Sequence, residues 1–307
     1  MKKILHILIV AASSMICLTA QAQDLMLSQE IFSRVNKNPA ATGNTDDIDI
    51  FLHGRIQWAG VEHGPKTTVL NVTNYEDAIR SGFGLTASYD CIGKGHNTLN
   101  AKLVYSYQID INKRHILAMG LGAGVNVGGY DHTAIGLEDD SEIAEDEALS
   151  DKERKLSPDF DLGFEFSNIY WTLGLSCTHI LNKETTMFKT GRHFYLYWTS
   201  LLPLNHNFDL APTVSAMHRK KTNVIEIGSL AFFKRTIWGG VTWRTDFHNV
   251  VNPSTLIFSL GFERSKFRFG YSFDCGIGKL NQLPSNTHEI ILSYGIEKKR
   301  GKRAISE

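Results

Sequence analysis

Leu99-Asn100-Ala101-Lys102-Leu103-Val104-Tyr105-Ser106-Tyr107-Gln108-Ile109-Asp110-Ile111 alternates in character residue by residue. Its odd positions are apolar or aromatic, while the even ones include Asn100, Lys102, Ser106, Gln108 and Asp110. Successive side chains of an extended chain point to opposite faces, so the stretch reads as a strand with one apolar and one hydrophilic face. The same alternation returns between Lys266 and Asp274, where Phe267, Phe269, Tyr271 and Phe273 interleave with Lys266, Arg268, Ser272 and Asp274, and again at Asp47-Ile48-Asp49-Ile50.

Segments of this kind, each of about ten residues, begin near Asp47, Lys66, Gly82, Leu99, His115, Asp159, Tyr170, Arg192, Asn207, Asn223, Thr236, Ser254, Lys266 and Thr287. They predict about 14 strands, an even number within the range of outer-membrane barrels. Turn signals separate them, among them Ile111-Asn112-Lys113-Arg114, Ser167-Asn168, Leu204-Asn205-His206, Arg219-Lys220-Lys221 and Arg264-Ser265. A large soluble β-sandwich or propeller would also alternate, because one face of each sheet packs on a core. Against it, the apolar faces carry Tyr, Trp and Phe near strand ends, as interfacial girdles require, and the opposite faces carry charge, as a wet lumen permits. Lipid cannot satisfy backbone polar groups, so such strands must close without edges. The expected fold is all-β: a transmembrane antiparallel outer-membrane β-barrel with an N-terminal periplasmic or plug segment.

Around this barrel the chain divides simply. Lys2 and Lys3, the apolar run Ile4 to Ala20 and the small-x-small Ala20-Gln21-Ala22 read as a signal peptide over residues 1–22, which implies Sec-dependent export. Ser14-Met15-Ile16-Cys17 is a poor lipobox inside the apolar run. Residues 23–46 form an N-terminal segment, 47–298 the barrel and 299–307 a basic tail. Beyond the signal peptide no segment approaches the roughly 18 to 20 apolar residues of a spanning helix. An even strand number puts both ends of the mature chain on the periplasmic side. Connections after odd-numbered strands then face outward: Ala59 to Pro65, Ile92 to Asn97, Tyr130 to Pro158 and Gly276 to Asn286.

Lys plus Arg and Asp plus Glu both total 32, which leaves no basic excess for nucleic acid. Cys91, Cys177 and Cys275 are far apart and odd in number, so neither a disulfide framework nor a CxxC knuckle is indicated. There is no GxSxG elbow and no HExxH, and the 12 histidines are scattered singly. His288-Glu289 resembles an acid/base pair, but neighbours on a strand point to opposite faces. Gly120-Leu121-Gly122-Ala123-Gly124 lacks the Lys and helix of a phosphate loop. The acidic run Glu138 to Asp151 lacks EF-hand spacing and reads as a solvated or partner-facing loop. No catalytic, cofactor-binding or metal residue is assigned, and no cofactor is expected.

A resemblance extends along nearly the whole mature chain. Ser28-Gln29-Glu30-Ile31-Phe32 leading to Asn38-Pro39-Ala40-Ala41-Thr42-Gly43, then Gln57-Trp58-Ala59-Gly60 with Gly64-Pro65-Lys66-Thr67, then Tyr89-Asp90-Cys91-Ile92-Gly93, follow in order. Ser157-Pro158-Asp159-Phe160, Trp238-Gly239-Gly240-Val241 with Arg244, Gly270-Tyr271-Ser272-Phe273-Asp274 and Thr287-His288-Glu289-Ile290 continue the series. Together they resemble the PorP/SprF family of type IX secretion. Three departures are visible: Ser33-Arg34 stands where members commonly have Asn-Pro, Arg55-Ile56-Gln57-Trp58 replaces Arg-Asn-Gln-Trp, and the basic tail Glu297 to Glu307 stands in place of a terminal aromatic on the last strand.

The resemblance implies a Bacteroidota outer-membrane protein embedded in outer-membrane lipids. It would support export or surface retention of proteins with a C-terminal sorting domain, such as adhesins of gliding motility. It further implies contact with a peptidoglycan-associated OmpA-like periplasmic partner, and no enzymatic activity. The matching residues Asn38, Pro39, Gly43, Gln57, Trp58, Gly60, Pro65, Asp90, Gly93, Pro158, Asp159, Arg244, Gly270, Tyr271, Asp274, His288 and Glu289 read as turns and packing. A passive porin or hydrophobic-solute channel would need the same strands and lumen charge. Asn38-Pro39 resists helix or ladder formation, so the segment from Asp24 to Asp46 is expected to fold against or into the periplasmic mouth. The inward charges Lys102, Glu165, Arg244 and Arg268 would pair with it or be solvated.

Overall fold

A computed structural model describes residues 27–45, 47–93, 95–130, 153–181, 191–220, 222–246, 254–277 and 286–298. The signal-peptide region 1–22, the acidic loop Glu138 to Asp151 and the tail 299–307 lie outside the described residues.

Fourteen antiparallel strands close into a barrel. They are β1 (Ile48–Ile56), β2 (Lys66–Glu76), β3 (Ser81–Ile92), β4 (His96–Asn112), β5 (His115–Tyr130), β6 (Glu153–Ser167) and β7 (Trp171–Thr178). There follow β8 (His193–Ser200), β9 (Phe208–Arg219), β10 (Thr222–Phe233), β11 (Ile237–Asp246), β12 (Ser254–Arg264), β13 (Phe267–Ile277) and β14 (Thr287–Ile296). A two-residue stretch, Leu202–Pro203, adds a short pairing on β9. Each strand pairs with its neighbours in sequence, and β1 closes on β14 from Ile48 opposite Ile296 to Ile56 opposite His288. Closure removes the free edges that lipid could not satisfy.

The alternation in β4 resolves as read. Leu103 is 70% exposed and Lys102 5%, so neighbouring side chains sit on opposite sides of one wall. Outward apolar residues recur on every strand, and aromatic side chains such as Tyr89, Phe208, Phe233, Phe267 and Tyr294 lie outward near strand ends. The inner surface is polar: Asn71, Ser106, Asn126, Asp159, Glu165, His193, Ser272 and Glu289 are almost completely buried.

The sixth strand departs from expectation. It begins at Glu153, so Pro158-Asp159-Phe160 lies inside the strand, and the long connection narrows to 131–152. Pro158 pairs with Val125 of β5, while pairing with β7 begins only at Leu162 opposite Cys177. One flank of β6 is therefore free of β7 at Pro158, where a residue without an N–H is tolerated. Likewise Ile92 and His96 belong to strands, which leaves a three-residue turn, 93–95, where a loop from Ile92 to Asn97 was expected.

The connections sort by end. At the end bearing Ile48 and Ile296 they are two to four residues long, 77–80, 113–114, 168–170, 234–236 and 265–266, apart from 201–207, which holds the short Leu202–Pro203 pairing. The opposite end carries 57–65, 131–152, 179–192, 247–253 and 278–286 beside the tight turns 93–95 and 220–221.

Candidate functional site

Residues 27–45 lie within the barrel as three short 3-10 turns, Glu30–Phe32, Arg34–Asn36 and Pro39–Ala41. Asn38 starts the third: its Oδ1 accepts from the Ala40 N–H at 2.9 Å, and Pro39 supplies the preset φ of a first helical position. Gly43, at φ +78°, turns the chain toward β1. The inner wall makes room for this backbone with glycine. A Cβ on Gly120 would overlap the Pro39 and Ala40 backbone, and one on Gly82 would overlap the Thr42 carbonyl. Of the glycines at period two on β5, Gly120 marks where the plug runs close against the strand, whereas Gly122 faces the Asp161 side chain and Gly124 the backbone of Ala101 and Lys102 on β4.

The segment spans the lumen from end to end. Ser28 meets β13 and β14 near the long-connection end, at Asp274 and Glu289, whereas Asn44 meets Glu165 near the short-turn end of β6. It is therefore an internal plug rather than a cover on one mouth. At the upper end the Ser28 N–H donates to Glu289 (2.8 Å) and its hydroxyl to Asp274 (2.7 Å). Arg244 donates to the Leu27 carbonyl (3.3 Å) and pairs with Glu226 and Asp274. Arg55 pairs with Glu289 and Asp274, and His53 Nε2 lies 2.9 Å from Glu289. Two guanidiniums thus face three carboxylates, of which Asp274 and Glu289 are buried, with Ser28 of the plug held among them.

Lower down, Arg34 donates to Glu165 at 2.9 Å, and Glu165 also accepts from Tyr197 and Asn44. Asn38 donates to the Phe164 carbonyl (2.9 Å) and to the Tyr197 hydroxyl (3.0 Å). The Glu165 carboxylate offsets the burial of the Arg34 guanidinium, and within the plug Lys37 lies 2.5 Å from Glu30. Apolar packing adds to this: Ile31 and Phe32 rest on a cluster of Phe51, Ala211, Leu230, Trp238 and Ile291, with Phe32 4.6 Å from the Trp238 ring and the Arg268 guanidinium 4.8 Å above Phe32. Glu165, Arg244 and Arg268 thus engage the plug.

Lys102 does not. Its ammonium lies 2.7 Å from Asp161 and 3.0 Å from Asp159, on the barrel wall. His179, just past β7, completes this group with Nδ1 2.7 Å from Asp159.

The family-like residues fall into two sets. Asn38, Pro39, Gly43, Asp159, Arg244, Gly270, Asp274 and Glu289 meet the plug or line the lumen. Gln57, Trp58, Gly60 and Pro65 shape the first long connection, where the Gln57 N–H donates to the Pro65 carbonyl at 2.9 Å. Gly93 makes the tight turn after β3 at φ +64°, and Asp90 accepts from the Thr67 hydroxyl. Tyr271 and His288 meet at 2.7 Å, while the next residue, Glu289, is buried in the lumen. Reading these positions as turns and packing missed the buried ion network among them. It also missed Ser28, His53, Arg55, Glu226 and Tyr197, for which the only sequence signal was a polar residue on the inward phase of a strand or in the N-terminal segment.

Comparison with known proteins places this geometry. The model of the family described as "Type IX secretion system membrane protein PorP/SprF" matches residues 19–294. No curated protein matches the chain. Among solved structures, the chain is similar to the CymD monoaromatic hydrocarbon channel, with TM-score 0.55 and 13% identity over 91% of this chain and 95% of that one. It is similar also to the Ralstonia pickettii toluene transporter TbuX, with TM-score 0.52 and 10% identity over 86% and 93%. At such identities these likenesses concern the barrel fold alone.

Proposed function

This chain belongs to the PorP/SprF family of type IX secretion system membrane proteins, and from that premise we propose that it is a non-enzymatic outer-membrane scaffold supporting export or surface anchoring of proteins with a C-terminal sorting domain, gliding adhesins among them. The observation that carries this reading is the lumen. It is filled by the chain's own N-terminal segment, which is held by the Arg34–Glu165 ion pair and by hydrogen bonds from Ser28 and Leu27 to an ion-paired group on β1, β11, β13 and β14. A barrel stopped in this way suits work done at its two rims.

In bacterial outer-membrane barrels the longer connections face outward. The connections 57–65, 131–152, 179–192, 247–253 and 278–286 then form the outer rim that meets the exported protein. The short turns face the periplasm and a peptidoglycan-associated OmpA-like partner. Residues 1–22 direct the precursor through the Sec pathway.

The test is deletion of the gene followed by quantitative surface proteomics of proteins with C-terminal sorting domains. Loss of one or a few of them from the surface is expected. An unchanged surface with altered small-solute uptake would overturn the reading in favour of the alternative, a passive porin or hydrophobic-solute channel. That alternative draws on the barrel shared with hydrocarbon channels, but the charged inner wall here offers an apolar solute little to dissolve in.

A further inference from the structure

Independently of the secretion reading, we propose that Asp159, Asp161 and His179 form a binding site for a borderline divalent cation of the zinc class, with Lys102 as the built-in cation that competes for it. Sequence spacing offered no metal motif. Closure of β6 against β7 nevertheless brings one imidazole and two carboxylates together, their ligand atoms all within 4.8 Å of one another. His179 is placed by its backbone as well as its ring: its N–H donates to Asp161 at 2.9 Å.

A second observation points to an occupant. Asp159 is fully buried, yet its Oδ1 has no hydrogen-bond partner, and the buried Asn126 amide beside it has none for either its nitrogen or its oxygen. Asn126 lies two residues along β5 from Gly124, which is the register partner of both Lys102 and Asp159. Its own register partner Asn100 donates to Asp159. Buried polar atoms without partners are costly, and two of these are oxygens, Asp159 Oδ1 and Asn126 Oδ1, able to ligate a cation together with the Asp161 carboxylate and the His179 imidazole.

Charge and donor type define the class. Two carboxylates against one ammonium leave one negative charge when His179 is neutral. Lys102 already demonstrates that the pair of carboxylates holds a cation, at 2.7 and 3.0 Å. Mixed imidazole and carboxylate donors suit zinc and its first-row neighbours, whereas calcium and magnesium prefer oxygen alone. A metal ion would take His179 Nδ1, the unpartnered Asp159 Oδ1 and Asp161. The Lys102 ammonium would swing into the adjoining cavity of about 100 Å³, which Asn36 and Lys37 of the plug line on its other side.

The experiment uses the full chain in detergent, stripped with chelator, with Cys17, Cys91, Cys177 and Cys275 changed to serine so that no thiolate contributes. Zinc is titrated by calorimetry, and cobalt(II) serves as an absorption probe of the ligand set. One equivalent of zinc is expected, with His179→Gln or Asp161→Asn weakening it by at least about tenfold. Lys102→Met should tighten binding, because the competing ammonium is gone, a gain that a misfolded protein cannot mimic. Heat-modifiable migration on gels verifies that each variant remains a barrel. No stoichiometric zinc, an unaltered cobalt spectrum in His179→Gln, or binding by Lys102→Met no tighter than by its parent would each overturn the proposal.

Discussion

Glu289 illustrates how single residues hold this barrel. It is fully buried, accepts the Ser28 N–H of the plug and pairs with Arg55 and His53. Removing one partner of a buried ion pair strands the other charge in low dielectric and costs roughly 3 to 5 kcal/mol. Glu289→Gln is therefore expected to destabilise the protein by about that amount, read as a lower temperature of the heat-modifiable transition in detergent. His288→Gln, which alters the adjacent position bonded to Tyr271, should shift that transition far less. Equal shifts in the two variants would show that the lumen network contributes nothing special. The same logic explains why sequence inspection dismissed His288-Glu289 as a catalytic pair: the two side chains serve opposite faces of β14.

At the scale of elements, the plug and the wall are matched. Polar bonds at both ends and one aromatic contact, Phe32 on Trp238, hold residues 27–45. Such an aromatic pair adds about 0.5 to 1.5 kcal/mol beyond the area it buries. A plug seated this way blocks ion flow, so the intact protein should show little conductance in planar bilayers. Deletion of residues 27–45 should leave the barrel assembled and raise conductance to that of an open lumen. Equal conductance before and after deletion would mean that the segment does not obstruct the pore. The strands themselves obey their outward face. Leu103→Arg places a charge in lipid and is expected to cost about 2 to 4 kcal/mol if it lies near the bilayer midplane. Ser106→Ala, on the inward face of the same strand, loses one hydrogen bond to the Thr42 carbonyl, 2.7 Å away, and should cost about 1 kcal/mol. Unfolding titrations into lipid vesicles measure both.

At the scale of the whole molecule, strand number, strand starts and inward phase were legible in the sequence, because the period of an extended chain is a local property. Lys66, His115, Ser254 and Thr287 begin strands where alternation and turn signals place them. The sixth strand was legible from Asp159 onward, but its start at Glu153 was not, because Pro158 reads as a break, and only the missing β7 neighbour shows why it is tolerated there. Which charges meet was not legible. Ser28 and Glu289 are 261 residues apart, and they join only because β1 closes on β14 with the plug threaded inside. His179 likewise reads as a solitary histidine until β6 and β7 bring Asp159 and Asp161 to it. Local periodicity specifies that a wall exists and which side of it is wet. The partners across that wet space depend on barrel closure and on the path of the plug, which bring together residues that no sequence period relates.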